Sequence, residues 1–247
     1  MITGATRLAA VIGSPVRHSL SPALHNAAFD AAGLDWRMVA FEVAPGQGAA
    51  AVAAMRTLGI CGLAVTTPHK VDVAAAVDEV DPGAAALRSV NTVVLRDDGS
   101  TFGASTDGPG FVDSLRAAGV DVEQARFVVL GAGAAARSII DALGRAGAVE
   151  VVIVNRDVER AAGAAALATV ARVGTIADIV DADVLVNATS VGMGTDESPV
   201  DAELLHGSAT GSRSGGASAP STGVTGTRLR RHRSACATPS RSSNSTR

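Results

Sequence analysis

Three polar side chains, Thr66, Thr67 and Lys70, stand close together in the run Gly62-Leu-Ala-Val-Thr-Thr-Pro-His-Lys70. The apolar stretch Gly62 to Val65 reads as a buried strand, and Pro68 forces a turn that presents all three side chains at the strand's carboxyl end. Open α/β sheets bind ligands at such ends. Lys70 is the one lysine among 21 basic residues, the rest being arginine. An ammonium can give up a proton near neutral pH and a guanidinium cannot, so Lys70 is a candidate acid and base. The alternative is a solvated lysine on a short turn.

A second chemistry is written at Gly131-Ala-Gly-Ala-Ala-Ala136, which has the form Gly-x-Gly-x-x-Ala. An apolar strand, Arg126 to Leu130, precedes it and an apolar helix to about Ala146 follows, the context a dinucleotide site requires. The glycines let the backbone approach a pyrophosphate, and the helix N-terminus attracts its charge. The next strand, Val149 to Val154, ends at Asn155-Arg-Asp-Val-Glu-Arg160. Asn155 and Arg156 occupy the place where an acid would accept the ribose hydroxyls of NAD, and Arg160 lies one turn on. Guanidinium groups pair well with phosphate, so NADP is expected over NAD, with Asp157 a charge of the opposite tendency. Arg160 is equally readable as a solvated helix residue.

Smaller signals lie elsewhere. Ser21 and Pro22 read as an N-cap and a first-turn proline, placing Ser19 and Ser21 beside a helix N-terminus able to hold a carboxylate or hydroxyl; Ser21 as a plain cap is the alternative. Asn91 opens a hairpin as either a turn residue or a hydrogen-bond donor to a ligand. Asp107 lies in Ser105-Thr-Asp-Gly-Pro-Gly110, which reads as a hinge before a helix over Phe111 to Ala118. It is either an acid that completes a site on domain closure or a helix cap.

The elements that must position these residues begin with Arg7 to Ile12 as a strand, a helix from Pro22 to Ala32, a strand over Trp36 to Val43 and a helix over Gln47 to Leu58. The β, α, β, α, β order continues through the Lys70 strand to a hairpin over Val90 to Leu95 and Ser100 to Gly103. The later strand Asp183-Val-Leu-Val-Asn-Ala-Thr-Ser-Val-Gly-Met193 should end near the nicotinamide half of a cofactor. The fold class is therefore α/β: a layered α/β substrate and catalytic domain over residues 1–104, then a Rossmann-type dinucleotide-binding domain over 105–207, incomplete at its C-terminal end. Residues 208–247 hold ten serines, six threonines, seven arginines and no acid, a disordered composition.

Composition narrows the classes. With 247 residues, 47% of them hydrophobic, the chain can build more than one core. No membrane span or signal peptide is indicated, and a cytoplasmic protein is expected. Cys61 and Cys236 fit neither a metal spacing nor a disulfide framework. The net charge of −3 divides into −10 for residues 1–207 and a basic tail, so the body suggests no nucleic-acid surface.

Taken together the motifs resemble the shikimate dehydrogenase family, NADP-dependent enzymes that reduce 3-dehydroshikimate to shikimate on the route to chorismate and aromatic amino acids. The resemblance covers residues 7–207 and rests on Ser-Leu-Ser-Pro at 19–22, Val-Thr-Thr-Pro-His-Lys at 65–70, Val-Asn-Thr at 90–92, Ser-Thr-Asp-Gly at 105–108, Gly-Ala-Gly-Ala-Ala at 131–135, Asn-Arg at 155–156 and Asn-Ala-Thr-Ser-x-Gly-Met at 187–193. It implies Lys70 and Asp107 as the catalytic pair, with Ser19, Ser21, Thr66, Lys70, Asn91 and Asp107 holding substrate. For NADP it implies Gly131, Ala132, Gly133, Ala134, Ala135, Asn155, Arg156, Arg160, Thr189 and Met193, with no metal. The expected partners are the small-molecule substrate and no nucleic acid or membrane, in a monomer or homodimer. A quinate/shikimate dehydrogenase using NAD, or a ligand-binding homologue without catalysis, are the alternatives. The family usually carries Asn at the positions of Ala64 and Ser105 and Gly at that of Ala134. Its closing Tyr-x-Pro and Gly-x-x-Met-Leu-x-x-Gln segments are not found here, and the abrupt change near Gly207 is what a shifted reading frame would produce.

Overall fold

The computed structural model describes residues 2–192 and 197–201 in full, and residues 217–219 and 224–228 as backbone. The first 104 residues build one six-stranded sheet and the rest a second.

In the first, β1 (Arg7–Gly13) is the central parallel strand, flanked by β2 (Trp36–Glu42) and β3 (Gly62–Val65). From Ala9 to Gly13 every residue of β1 is buried, the pattern of a strand covered on both faces. The hairpin of β5 (Thr92–Leu95) and β6 (Thr101–Ala104) adds antiparallel to β3, and the two-residue β4 (Glu79–Val80), which the sequence does not suggest, pairs with β6. Helices α1 (Ser21–Ala31), α2 (Gly48–Leu58), α3 (Lys70–Ala74) and α4 (Pro82–Leu87) fill the connections. Ile12, Val52, Met55, Leu63, Val73 and Val93 form the core between them. Glycine ends α2 as its spacing implies, Gly59 taking a φ of +65°.

In the second sheet, β7 (Arg126–Leu130) lies between β8 (Glu150–Val154) and β10 (Val184–Asn187), all parallel, with β9 (Ala171–Val173) at one edge. The strand β7 is apolar beyond Arg126 because it is buried on two sides: Phe127 and Val129 face the core under α5 (Asp107–Ala117) and α6 (Ala134–Arg145), while Val128 and Leu130 face a smaller cluster with Ile179 and Leu185. Helix α7 (Val158–Ala165) packs beside β8 and β9. Among the described residues no helix is long and apolar enough to cross a membrane.

Two expectations shift. Helix α5 begins at Asp107, four residues before the expected start, because Gly108 and Pro109 belong to its first turn, where proline is tolerated. In the segment read as disordered, β11 (Ala217–Ala219) and β12 (Val224–Arg228) extend the second sheet, β12 running antiparallel to β10. The free edge of β10 offers unpaired backbone groups, and the threonine-rich run from Val224 suits a strand.

A carboxylate ties α2 to this frame. Asp78 accepts from the Thr101 amide at 2.7 Å and hydroxyl at 2.8 Å, and pairs with Arg56 at 2.5 Å. These bonds, Thr101's foremost, hold its carboxyl down at about 2. Because the folded value lies below the ordinary one, this stabilisation is present above about pH 4 and is lost as pH falls toward 2. Asp78→Asn should therefore lower the urea midpoint at pH 7, and its difference from the parent chain should shrink between pH 4 and pH 2.

Candidate active site

Lys70 is the first residue of α3, on a turn fixed from three sides. The Thr66 amide donates to Ile12 O at 2.9 Å, Ser14 N donates to Thr67 O at 3.0 Å, and His69 N donates to Thr66 O at 3.1 Å. The ends of β1 and β3 approach so closely that a Cβ on Gly13 would stand 2.4 Å from Thr66 Cγ2. His69, fully buried, donates from Nε2 to Val43 O at 2.8 Å, so Nε2 carries a proton, and among the described residues buried Nδ1 has no partner. Val43 N in turn donates to Gly13 O at 3.1 Å, so the loops after β1, β2 and β3 form one hydrogen-bonded unit.

The turn brings Lys70 Nζ 2.5 Å from Asp107 Oδ2, with only 9% and 8% of the two residues exposed. The other carboxylate oxygen, Oδ1, accepts from Asn91 Nδ2 at 2.6 Å. The Asn91 amide is itself oriented: its Oδ1 accepts from Thr106 N at 2.9 Å and from Thr92 Oγ1 at 3.1 Å, so its NH2 group faces Asp107. Asp107 is not a cap; it stands at N1 of α5, where the helix dipole also favours its negative charge. Sequence reasoning finds Asn91 and Asp107 but not the threonines that aim them, although Thr92 is the next residue of the same Val-Asn-Thr run.

Ser19 lies on the loop after β1, and Ser21 opens α1. The helix starts one residue earlier than expected: Leu20 is the N-cap and Ser21 is N1, its amide donating to Ser19 Oγ at 3.3 Å. Among the described residues the hydroxyls of Ser21 and Thr66 make no hydrogen bond, which leaves both available. No bond joins Ser19 or Ser21 to the Lys70 pair; the link runs through Ser14 and Thr67.

At the second sheet the turn after β7 is open on one side. Gly131 takes a φ of +106°, and a Cβ there would lie 2.9 Å from Ala188 O. Gly133 is the N-cap of α6, has no side-chain cap, and an added Cβ would meet nothing within 4 Å. The first amides of α6, at Ala134 and Ala135, have no partner within the helix and belong to partly exposed residues, as a phosphate cradle requires, whereas Ala136 is fully buried. Ala132 sits buried under that turn. Asp157, counted from sequence against a 2′-phosphate, is engaged otherwise. It caps α7, accepting from Arg160 N at 3.0 Å, while Asn155 Nδ2 donates to Asp157 O at 2.8 Å. Arg156 and Arg160 are exposed and make no ion pair among the described residues. Thr189 closes the turn after β10, its amide and hydroxyl both donating to Asn187 Oδ1. Met193 lies outside the described residues.

Residues 11–93 match the family model described as the shikimate dehydrogenase substrate binding domain, and residues 114–193 the one described as shikimate / quinate 5-dehydrogenase. A shikimate dehydrogenase (NADP(+)) of Moorella thermoacetica is 45% identical over 203 residues, 78% of this chain and 68% of that protein. The chain belongs to the shikimate dehydrogenase family. Its fold agrees: the crystal structure of shikimate dehydrogenase from Aquifex aeolicus superposes with a TM-score of 0.77 at 36% identity, covering 83% of this chain and 77% of that one. That of the Thermus thermophilus enzyme in complex with NADP(H) and shikimate gives 0.75 at 37% identity, covering 80% and 74%.

The His69 bond to Val43 carries a testable consequence. His69→Leu, which removes the donor, should cost about 1–2 kcal/mol in urea unfolding, and His69→Gln, which keeps an amide donor, should recover most of it.

Proposed function

We propose that this chain is an NADP-dependent shikimate dehydrogenase, interconverting 3-dehydroshikimate and shikimate in the cytoplasm for chorismate and aromatic amino-acid biosynthesis. In this reading residues 1–104 form the substrate part and 105–207 the cofactor part. The observation that carries it is the buried Lys70–Asp107 pair, contributed by one residue from each part.

Carbonyl reduction needs a hydride at carbon and a proton at oxygen. Bound NADPH supplies the hydride. Lys70 gives the proton from its ammonium to the ketone oxygen and takes it back when the alcohol is oxidised. Asp107 holds that ammonium toward the reacting oxygen, and Asn91 holds Asp107. Ser19, Ser21 and Thr66 bind the carboxylate and hydroxyls of the substrate. The free amides of α6 take the pyrophosphate, and Arg156 with Arg160 the 2′-phosphate. The capping role of Asp157 supports NADP over NAD, since a carboxylate engaged with a helix N-terminus opposes phosphate less.

Two outcomes are expected when shikimate is added and NADPH formation is followed by absorbance. Lys70→Ala should lower kcat by about 10²–10⁴-fold while shikimate still binds by calorimetry; a near-normal kcat would remove Lys70 from the chemistry. Arg156→Ala should raise KM for NADP by about tenfold or more and leave KM for NAD unchanged.

A further inference from the structure

Ser138 is a buried polar residue that this chemistry does not use. It lies on the second turn of α6, 2% exposed, and a hydroxyl so placed requires partners. It has two: Gly108 N donates to its Oγ at 2.9 Å, and Ser105 Oγ stands 3.1 Å away. Gly108 N belongs to the first turn of α5, whose amides have no partner within their own helix. Thr106, at the N-cap, does not serve them, because its hydroxyl is turned to Asn91 and Thr92. The cap of α5 therefore comes from another helix. The contact has no slack: a Cβ on Gly108 would lie 2.2 Å from Ser138 O and 2.8 Å from the Cβ of Ala142.

We propose that Ser138 is a positioning residue, its hydroxyl fixing the first turn of α5 so that the Asp107 carboxylate stays registered on Lys70. Asp107 is thus held at both ends, its carboxylate by Lys70 and Asn91 and the amide of the next residue by α6. From Gly133 at the open N-terminus of α6 to Ser138 is about 7.5 Å along the helix axis. A group bound at that terminus and the acid of the pair are therefore referred to the same rigid element. The inference rests on the reading of Lys70 and Asp107 as the catalytic pair, but its test needs no turnover.

Lys70 is the only side-chain amine in the full chain, so a water-soluble succinimidyl ester followed by peptide mass spectrometry reads that residue alone. An ammonium locked to a buried carboxylate is turned inward and slow to acylate. Ser138→Ala should acylate at Lys70 about tenfold faster than the parent chain, and the Gly108 amide should lose its protection from hydrogen exchange. Ser138→Thr, which keeps the hydroxyl, should restore slow labelling. Ser138→Cys, whose thiol is a weak acceptor, should label faster than the parent and serves where the alanine variant does not fold. Ile153→Ala, in the same core on β8, controls for general loosening and should label at the parent rate under native conditions. Equal labelling in Ser138→Ala and the parent, or in Ser138→Ala and Ile153→Ala, would overturn the proposal. A chain that forms no NADPH yet passes this test would refute the functional reading and leave Ser138's role intact.

Discussion

Two opposite charges, Lys70 and Asp107, are withdrawn from water together, and the architecture around them is what makes that tolerable. Burying either alone would leave an uncompensated charge at a cost of about 3–5 kcal/mol. The pair is stable only with good geometry and with its remaining hydrogen-bonding capacity filled. Both carboxylate oxygens are bonded, one by Lys70 and one by Asn91, and the α5 dipole favours the same charge.

The two residues are 37 apart in sequence and belong to different sheets' neighbourhoods, so each must be fixed by its own scaffold. For Lys70 the scaffold is the knot of backbone bonds joining the ends of β1 and β3, which is possible because Gly13 has no Cβ to strike Thr66. For Asp107 it is the contact of α5 with α6, which is possible because Gly108 has none to strike Ser138. The first family model, over residues 11–93, takes in Lys70 and Asn91, and Asp107 lies in the stretch between it and the second, which begins at residue 114.

Much of this is legible in the sequence. Strands such as β7 announce themselves as unbroken apolar runs, and the glycine spacing before α6 has few other meanings in that setting. The start of α5 is misread because Gly108-Pro109-Gly110 looks like a loop, while two of its members serve a helix: the proline fills a position that needs no amide, and Gly108 admits a neighbouring backbone. Asp157 reads as a charge facing the cofactor, yet local capping engages it; the aspartate three residues before Arg160 at a helix start is the available signal. Ser138 carries none, since a bond across 30 residues between two helices leaves no periodicity to read.

In the proposed reaction Lys70 and Asp107 act as one proton-transferring unit. A double-mutant cycle on NADPH formation from shikimate and NADP, using Lys70→Ala, Asp107→Ala and both together in the full chain, tests it most directly. The expected result is strong non-additivity, the double variant being little slower than the slower single one. Losses that simply multiply would mean that the two residues act separately, and no NADPH formed by the unaltered chain would mean that the pair does not catalyse this reaction.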